Sequence, residues 1–371
     1  MRSNAAVSFL LLLVTLSSTV RYLPVAQQEP EINELGSGTE TQDLIDIDCL
    51  NDLQLRTQPI CIEKVYAAAM TSPKMWAGSH DQHLFAFSYK TNGPYLNTTE
   101  WLLPQSKGPY NLIAQKGDIW ELNVTREENE TLCIDRCDVG NMSYRENSND
   151  GWHIDTAFTV AAFSDARYRL LSADVNVRQW VDGNRGERSK QLDLNRKAVE
   201  TCESAASQCV DKLYVLSVIS GKQPDGLNRV KGLKLRVSNG TSNITVRLPK
   251  RRGDINDKGI RAEMWEVESE SLSSESQCRE VESESLSSES QCREVESESL
   301  SSESQCIEFN GVKEIAFTTT AKYRYYRVQS AFVVARLNSG KFSLLAAFVD
   351  PISCTEVDRF NELQFGLYNN C

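Results

Sequence analysis

The sequence predicts a mainly β, antiparallel fold in an exported, disulfide-bonded chain. Three observations carry this. Short runs of aromatic and β-branched residues alternate with polar ones. Gly, Asn, Pro and Ser punctuate those runs. Eleven cysteines follow an N-terminal export segment, which in such a chain favours disulfides over metal thiolates.

In chain order the candidate strands are "HLFAFSY" at His83–Tyr89, "DIWELNV" at Asp118–Val124, "LYVLSVI" at Leu213–Ile219 and "VKGLKLRV" at Val230–Val237. "KYRYYRV" at Lys322–Val328, "SAFVVARL" at Ser330–Leu337 and "FSLLAAFV" at Phe342–Val349 follow. One segment has another period. Leu192–Cys209 places Leu194, Ala198, Cys202, Ala205 and Cys209 at helical spacing and predicts a helix. On that helix Cys202 and Cys209 would stand about 10 Å apart, beyond disulfide reach. If its end frays into a loop, the two can bond to each other.

The domain organisation reads as follows. Residues 1–26 form a signal peptide: Met1-Arg2, then an apolar run from Ala5 to Leu16. That run is shorter than the roughly 20 residues a bilayer span needs, and no later segment qualifies, so no membrane span is expected. Residues 27–48 are a flexible acidic leader, and 49–265 a β-rich body. Residues 266–307 are Glu/Ser-rich repeats, and 308–371 complete the body. Six Asn-x-Ser/Thr sequons begin at Asn97, Asn123, Asn129, Asn141, Asn239 and Asn243 and predict glycans on exposed segments. The cysteine count is odd, so at least one thiol is free or joins two chains into a disulfide-linked dimer. No C-x-x-C occurs, which argues against a zinc ribbon or a thioredoxin-type site.

The repeat "EVESESLSSESQCR" occurs at Glu266–Arg279, again at Glu280–Arg293, and almost completely at Glu294–Ile307. Its three copies carry twelve Glu against Arg279 and Arg293, a net charge of −10 in a chain of −11. The rest of the chain is therefore nearly neutral, and the charge gives no reason to expect nucleic acid as a partner. Each copy has one Val and one Leu, too little apolar surface to offset the entropy of ordering. The composition reads as a solvated loop. An alternative is phosphorylation of Ser273, Ser287 and Ser301, whose Ser-x-Glu setting resembles the motif of secretory casein-type kinases.

Ile154-Asp155-Thr156-Ala157-Phe158, followed by an aromatic-rich run to Leu171, resembles the blade opening of hemopexin-type repeats. Looser versions begin at Val312 and Val65. The resemblance implies a four-bladed β-propeller closed by a disulfide, with Cys61 and Cys371 where that bond is expected. The tryptophan that precedes the family signature is misplaced here, and the following Gly-containing turn is missing. A Cys61–Cys371 bond would favour ring closure. A bond from Cys61 to Cys133 or Cys137 would favour independent N- and C-terminal domains.

Three histidines are present. His80, Asp81 and His83 could begin a metal site, with His153 or a carboxylate as a third ligand, but they read better as solvated loop residues. His153 and Asp155 are another close His/Asp pair, and strand alternation accounts for them equally. No H-E-x-x-H, G-x-S-x-G or phosphate-loop motif occurs, and no residue set calls for a cofactor. Arg252-Gly253-Asp254 is a candidate receptor-binding tripeptide. The leading functional expectation is a secreted glycoprotein that binds an extracellular protein or glycan. A lipocalin-type small-ligand carrier and a secreted hydrolase are the alternatives.

Treating the secreted protein with peptide-N-glycosidase should lower its apparent mass, and reduction should change its gel mobility. Unchanged mass after glycosidase would refute the glycan expectation.

Overall fold

The computed structural model describes residues 60–73, 83–90, 96–103, 117–124, 133–145, 151–182, 191–220, 233–241, 243–248, 260–268, 306–319, 326–349, 355–357 and 362–369. All belong to one compact unit, Asp46–Cys371. The strands are β1 (Ile62–Thr71), β2 (Leu84–Lys90), β3 (Leu96–Leu102), β4 (Gly117–Asn123), β5 (Val139–Arg145), β6 (Trp152–Phe163), β7 (Tyr168–Asp174), β8 (Gln179–Val181) and β9 (Gln191–Asp193). They continue with β10 (Val210–Ser220), β11 (Leu233–Ser238), β12 (Asn243–Arg247), β13 (Ile260–Glu268), β14 (Glu314–Thr319), β15 (Tyr326–Leu337), β16 (Phe342–Val349), β17 (Thr355–Val357), β18 (Leu363–Gln364) and β19 (Gly366–Leu367).

These strands build two β-sandwiches in tandem. The N-terminal inner sheet has the order β4-β1-β6-β7, with β8 beside β6, and the outer sheet β3-β2-β5-β9. The C-terminal sandwich repeats the scheme: β13-β10-β15-β16-β19 with β17 beside β15 is inner, and β12-β11-β14-β18 outer. All pairings between these strands are antiparallel. One core lies between the N-terminal sheets, with Phe85, Phe87, Met142, Tyr144 and Trp152 at its centre. A second lies between the C-terminal sheets, around Leu213, Leu235, Trp265, Phe317 and Val333.

Ladder irregularities repeat as well. Within β1–β6 the register shifts at Ile62/Lys64 and at Met70/Thr71. Within β10–β15 it shifts at the corresponding Val210/Lys212 and Val218/Ile219. The β6–β7 bulge at Thr159/Val160 has its twin at Val333/Val334 of β15–β16. The β6–β7 turn holds Ala166 at φ 62, and the β15–β16 turn holds Gly340 at φ 81, where glycine carries no Cβ penalty. Cys61 bonds Cys133 and Cys209 bonds Cys306, each tying the start of an inner strand to the segment before the fifth strand of its sandwich. Cys137 and Cys202 are disulfide-bonded too.

A third apolar cluster joins the sandwiches back to back through their inner sheets. Its contacts are reciprocal. Tyr66 meets Phe332 at 4.9 Å while its twin Tyr214 meets Phe158 at 5.4 Å. Tyr168 meets Phe332 at 6.0 Å while its twin Phe342 meets Phe158 at 6.1 Å. This is the logic of an isologous dimer interface written into one chain. β6 is consequently buried at all twelve positions, since one face packs into the sandwich and the other onto its neighbour. Gly117 sits where β4 passes β13: a Cβ there would stand 2.8 Å from Met264 Cβ and 2.9 Å from its amide nitrogen.

Several expectations are corrected. The four sheets are not propeller blades, because a blade is built from consecutive strands, whereas each sheet here joins strands from separate parts of its half, β4-β1-β6-β7 facing β3-β2-β5-β9 and β13-β10-β15-β16-β19 facing β12-β11-β14-β18. Ile154–Phe158 lies inside a central strand, and its structural twin is Val328–Phe332, not the segment at Val312. Cys61 pairs with Cys133, so it does not close a ring with Cys371, which lies outside the described residues. No described sheet closes into a barrel of lipocalin type. The Leu192–Cys209 helix shrinks to one turn, Cys202–Ala205, capped by the Thr201 side chain, which accepts from the Ser204 amide. The apolar residues of that segment satisfy different neighbours: Leu192 and Leu194 enter the N-terminal core, Ala198 and Val199 the interface, and Ala205 the C-terminal core. "KYRYYRV" and "SAFVVARL" feed the single strand β15.

The repeat is not wholly outside the fold. Glu266-Val267-Glu268 completes β13, with Val267 buried. Glu266 and Glu268 both pair with Lys212, as Glu121 pairs with Lys64 in the N-terminal twin. The third copy supplies Cys306. The intervening 269–305 lie outside the described residues. Both ends of that excursion meet at one base, where the Val210 amide donates to the Ile307 carbonyl at 2.9 Å.

Deleting Glu266–Arg293 therefore moves an identical Glu294-Val295-Glu296 into β13. It leaves residues 297–305 before Cys306, the same spacing as residues 124–132 before Cys133. Shortening that connection changes its closure entropy by about 1 kcal/mol in the stabilising direction. The melting temperature should match or slightly exceed that of the full chain. Retention in cells, or a loss of many degrees, would show that the deleted copies belong to the fold.

Candidate functional site

The duplication supplies an internal control for function. Where twin positions keep the same chemistry, the fold accounts for it. Where they part, the fold does not require either choice.

Inner faces match. Tyr66 and Tyr214, Phe158 and Phe332, Val160 and Val334, Leu170 and Leu344, and Ala173 and Ala347 occupy equivalent places in the interface. So do the cross-strand pairs Tyr66–Glu121 and Tyr214–Glu266. Burial, then the facing Glu266 carboxylate, pushes the Tyr214 phenol up to about 12. Burial and Glu121 push Tyr66 upward in the same way. These phenols serve the interface as neutral groups.

The two cores diverge. His83, Tyr144, Thr159, Ser172 and Asp174 of the N-terminal sandwich stand where its twin has Leu233, Phe317, Val333, Ala346 and Phe348. Tyr144 packs against Phe85, Trp120 and Trp152 with ring centroids 5.4–6.2 Å away. Burial raises its phenol well above the ordinary value, and Asp118 and Asp174 add to the effect. Asp118 and its twin Glu263 are both buried on the fourth strand of their sandwiches, so an interior acid there is common to both.

The two described histidines, His83 and His153, are not solvated. His83 is buried 5.2 Å from the Trp152 ring. His153, on the opposite side of β6, is fully buried edge-on to Trp180 at 4.9 Å. Adjacent strand residues face opposite ways, so Trp152, with the His83 beside it, and His153 point to different faces of β6. Trp152 Nε1 donates to Thr71 Oγ1 at 2.9 Å. Asp155 has Arg178 at 3.6 Å. Among the described residues no group of three His, Cys, Asp or Glu could hold a metal ion. His80 and Asp81 lie outside the described residues, as do Arg252-Gly253-Asp254, Ser273, Ser287, Ser301 and Asn129.

The outer sheets diverge most visibly at their outward faces. One row of the N-terminal outer sheet carries Leu102, Leu84 and Arg145. The equivalent row of the C-terminal outer sheet carries Arg247, Lys234 and Thr318. Leu102 is the one exposed large hydrophobic side chain among the described residues, at 46%. From that row Arg145 reaches diagonally to Glu100, which faces Ala86 in the next row, at 2.5 Å. In the twin, Arg236 pairs with Glu314 and, at 2.6 Å, with Glu362.

The sequons follow the same geometry. Asn97, Asn123, Asn141 and Asn243 are exposed and Asn239 half-buried. Asn97 and Asn141 lie toward the Tyr89 end of β2, and Asn239 and Asn243 toward the Ser238 end of β11. Both sets gather at the end of the outer sheet opposite the divergent rows. Sequence reading found the sequons but missed the rows, because recognising them needs the twin register. The available signals were C-x-x-K-x-Y at Cys61 and Cys209, Trp-Glu at Trp120 and Trp265, and A-F-x-V-A at Ala157 and Ala331.

No protein-family model matches the chain, and no curated protein matches it. Among solved structures it is similar to the alpha toxin of Clostridium absonum, at 18% identity and a TM-score of 0.27, over 39% of this chain and 34% of that one. It is also similar to the alpha-toxin of an avian strain of Clostridium perfringens, at 16% identity and a TM-score of 0.27, over 36% of this chain and 32% of that one. The match spans about a third of those proteins, and no inference rests on it.

Burial raises the Asp174 carboxyl above its ordinary 3.8, against an opposing hydrogen bond from the Asn195 amide. A raised carboxyl pKa means that the native state holds the proton more tightly than the unfolded chain. Stability contributed by this group is then lost as pH rises from 3.8 through the folded value. Asp174→Asn should raise the melting temperature at pH 7 and leave it unchanged near pH 3. A lower melting temperature at pH 7 would refute this.

Proposed function

We propose that the protein is a secreted glycoprotein that binds an extracellular protein or glycan through the outward faces of its two outer sheets. One observation carries the reading. In both sandwiches the sequons carried by the outer sheet, Asn97 and Asn141 in one and Asn239 and Asn243 in the other, gather at one end of it, and the opposite end carries rows that differ between twins, Leu84 and Leu102 against Lys234 and Arg247. Divergence at accessible positions on a duplicated scaffold suits recognition, since surface substitutions there cost the fold little. The disulfides suit an oxidising compartment. Among the described residues no helix is long and apolar enough to cross a membrane.

The back-to-back interface holds the two outer faces at a fixed relation, as a module with two distinct contact patches requires. An exposed leucine rimmed by an ion pair on one face and a cationic row on the other offer different chemistry to the same or different partners.

A second reading, a carrier of a small polar ligand, draws on the N-terminal core. The hydroxyls of Tyr144, Thr159 and Ser172 are buried there without a hydrogen-bond partner in the protein, and the twin core has no such groups at the three positions.

Labelled glycosylated protein should bind intact cell surfaces or extracellular matrix saturably, and Leu102→Glu or Arg247→Glu should weaken that binding at least tenfold without lowering the melting temperature. Saturable binding that neither variant weakens, or folded protein with no saturable binding, would contradict the reading. A small molecule retained through native mass spectrometry and lost in Tyr144→Phe would favour the carrier instead.

A further inference from the structure

We propose that the C-terminal outer sheet binds a sulfated polysaccharide at Lys234 and Arg247; this rests on the binding-module reading above and names the ligand of one of its two faces.

Lys234 and Arg247 are direct cross-strand partners on β11 and β12. Leu233, Leu235 and Val237 point into the core, so strand alternation turns Lys234, and Arg247 opposite it, outward. Like charges placed directly opposite each other destabilise a sheet. Neither cation has a carboxylate partner among the described residues, whereas Arg236, one row away, is neutralised by Glu314 and Glu362. Lys234 is half-buried and Arg247 exposed. The N-terminal twin manages the same two positions with Leu84 and Leu102, so the sheet itself does not demand cations there. An anion lying across the row would turn their mutual repulsion into shared attraction.

The surroundings fit an extended anion rather than a single ion. The neighbouring outward groups in the two rows are Thr318 and Thr245, hydroxyl donors for sulfate oxygens or sugar hydroxyls. The sequons of this sheet, Asn239 and Asn243, sit at the other end of the hairpin, where the β11–β12 turn closes. A repeating polyanion supplies charges at regular intervals along such an end, and an extracellular setting offers them as sulfated chains.

The test is surface plasmon resonance of the intact glycosylated protein over immobilised heparin, at 50 and 200 mM NaCl, with N-desulfated heparin as the control surface. Binding should weaken steeply with salt, because a polyanion releases counterions as its charges are neutralised. Lys234→Gln/Arg247→Gln should lose at least tenfold in affinity at 50 mM and lower the salt slope by about two, with an unchanged melting temperature. Wild-type binding that the double variant retains, or no binding to heparin at 50 mM, overturns the assignment. So does binding to a polyglutamate peptide in preference to heparin, which would give the face to an acidic protein segment. If heparin fails while saturable, Leu102→Glu-sensitive cell-surface binding persists, the ligand class is wrong and the module reading stands. If both fail, the module reading falls with it.

Discussion

Everything in this molecule follows from burying two inner sheets on both faces. An antiparallel sheet with one solvated face reads as clean alternation. β6 cannot, because its twelve residues are all buried. One side supplies Ile154, Ala157 and Ala161 to the N-terminal core, and the other supplies Phe158 and Val160 to the junction with the second sandwich. Gly117 is the steric corollary. β4 approaches the backbone of β13 so closely that no Cβ fits without displacement, and the fourth strands of the two sandwiches pass each other there.

The reciprocal contacts across that junction have the form of a two-fold dimer fused into one chain. Fusion fixes the stoichiometry and frees the two halves to diverge. Residues 195–201 connect them and run along the junction, where the Ala173 amide donates to Asn195, the Phe342 amide to Ala198 and the Glu200 amide to Phe342. Divergence then appears in three places that the junction does not constrain: the N-terminal core with its polar groups, the outward rows of the outer sheets, and the connection after the fourth strand. In the N-terminal half that connection is short and bears the Asn129 sequon, while in the C-terminal half it holds the acidic copies. The expansion uses a site where both ends are already clamped, by a disulfide on one side and by the Lys212 ion pairs on the other.

The β character was legible because strand residues announce themselves locally. "FSLLAAFV" coincides with β16, and "HLFAFSY" and "DIWELNV" overlap β2 and β4 almost completely. The duplication was written in the sequence but diluted. Matches such as Ala157-Phe158 with Ala331-Phe332 are separated by loops of unequal length, and the acidic copies displace the second half of the series. The hemopexin-like pattern at Ile154 marked a real repeated strand and aligned it with the wrong partner. His83 and His153 were misread for a physical reason. His83 fills the place of a core leucine, and burial of a single polar side chain depends on distant strands, which local pattern cannot reveal. The functional rows were hidden for the same reason: Lys234 and Arg247 become a site only once β11 and β12 are paired.

The most direct measurement is a double-mutant cycle across the junction, using Tyr66→Leu and Phe332→Leu, with Tyr214→Leu and Phe158→Leu as the mirror cycle, followed by chemical denaturation. Packed aromatic pairs contribute about 0.5–1.5 kcal/mol beyond their buried area. Coupling of that size in both cycles, equal within error, is the expected result. Strict additivity in both would mean that the inner sheets do not pack back to back, and the account of the fold built on that junction would be wrong.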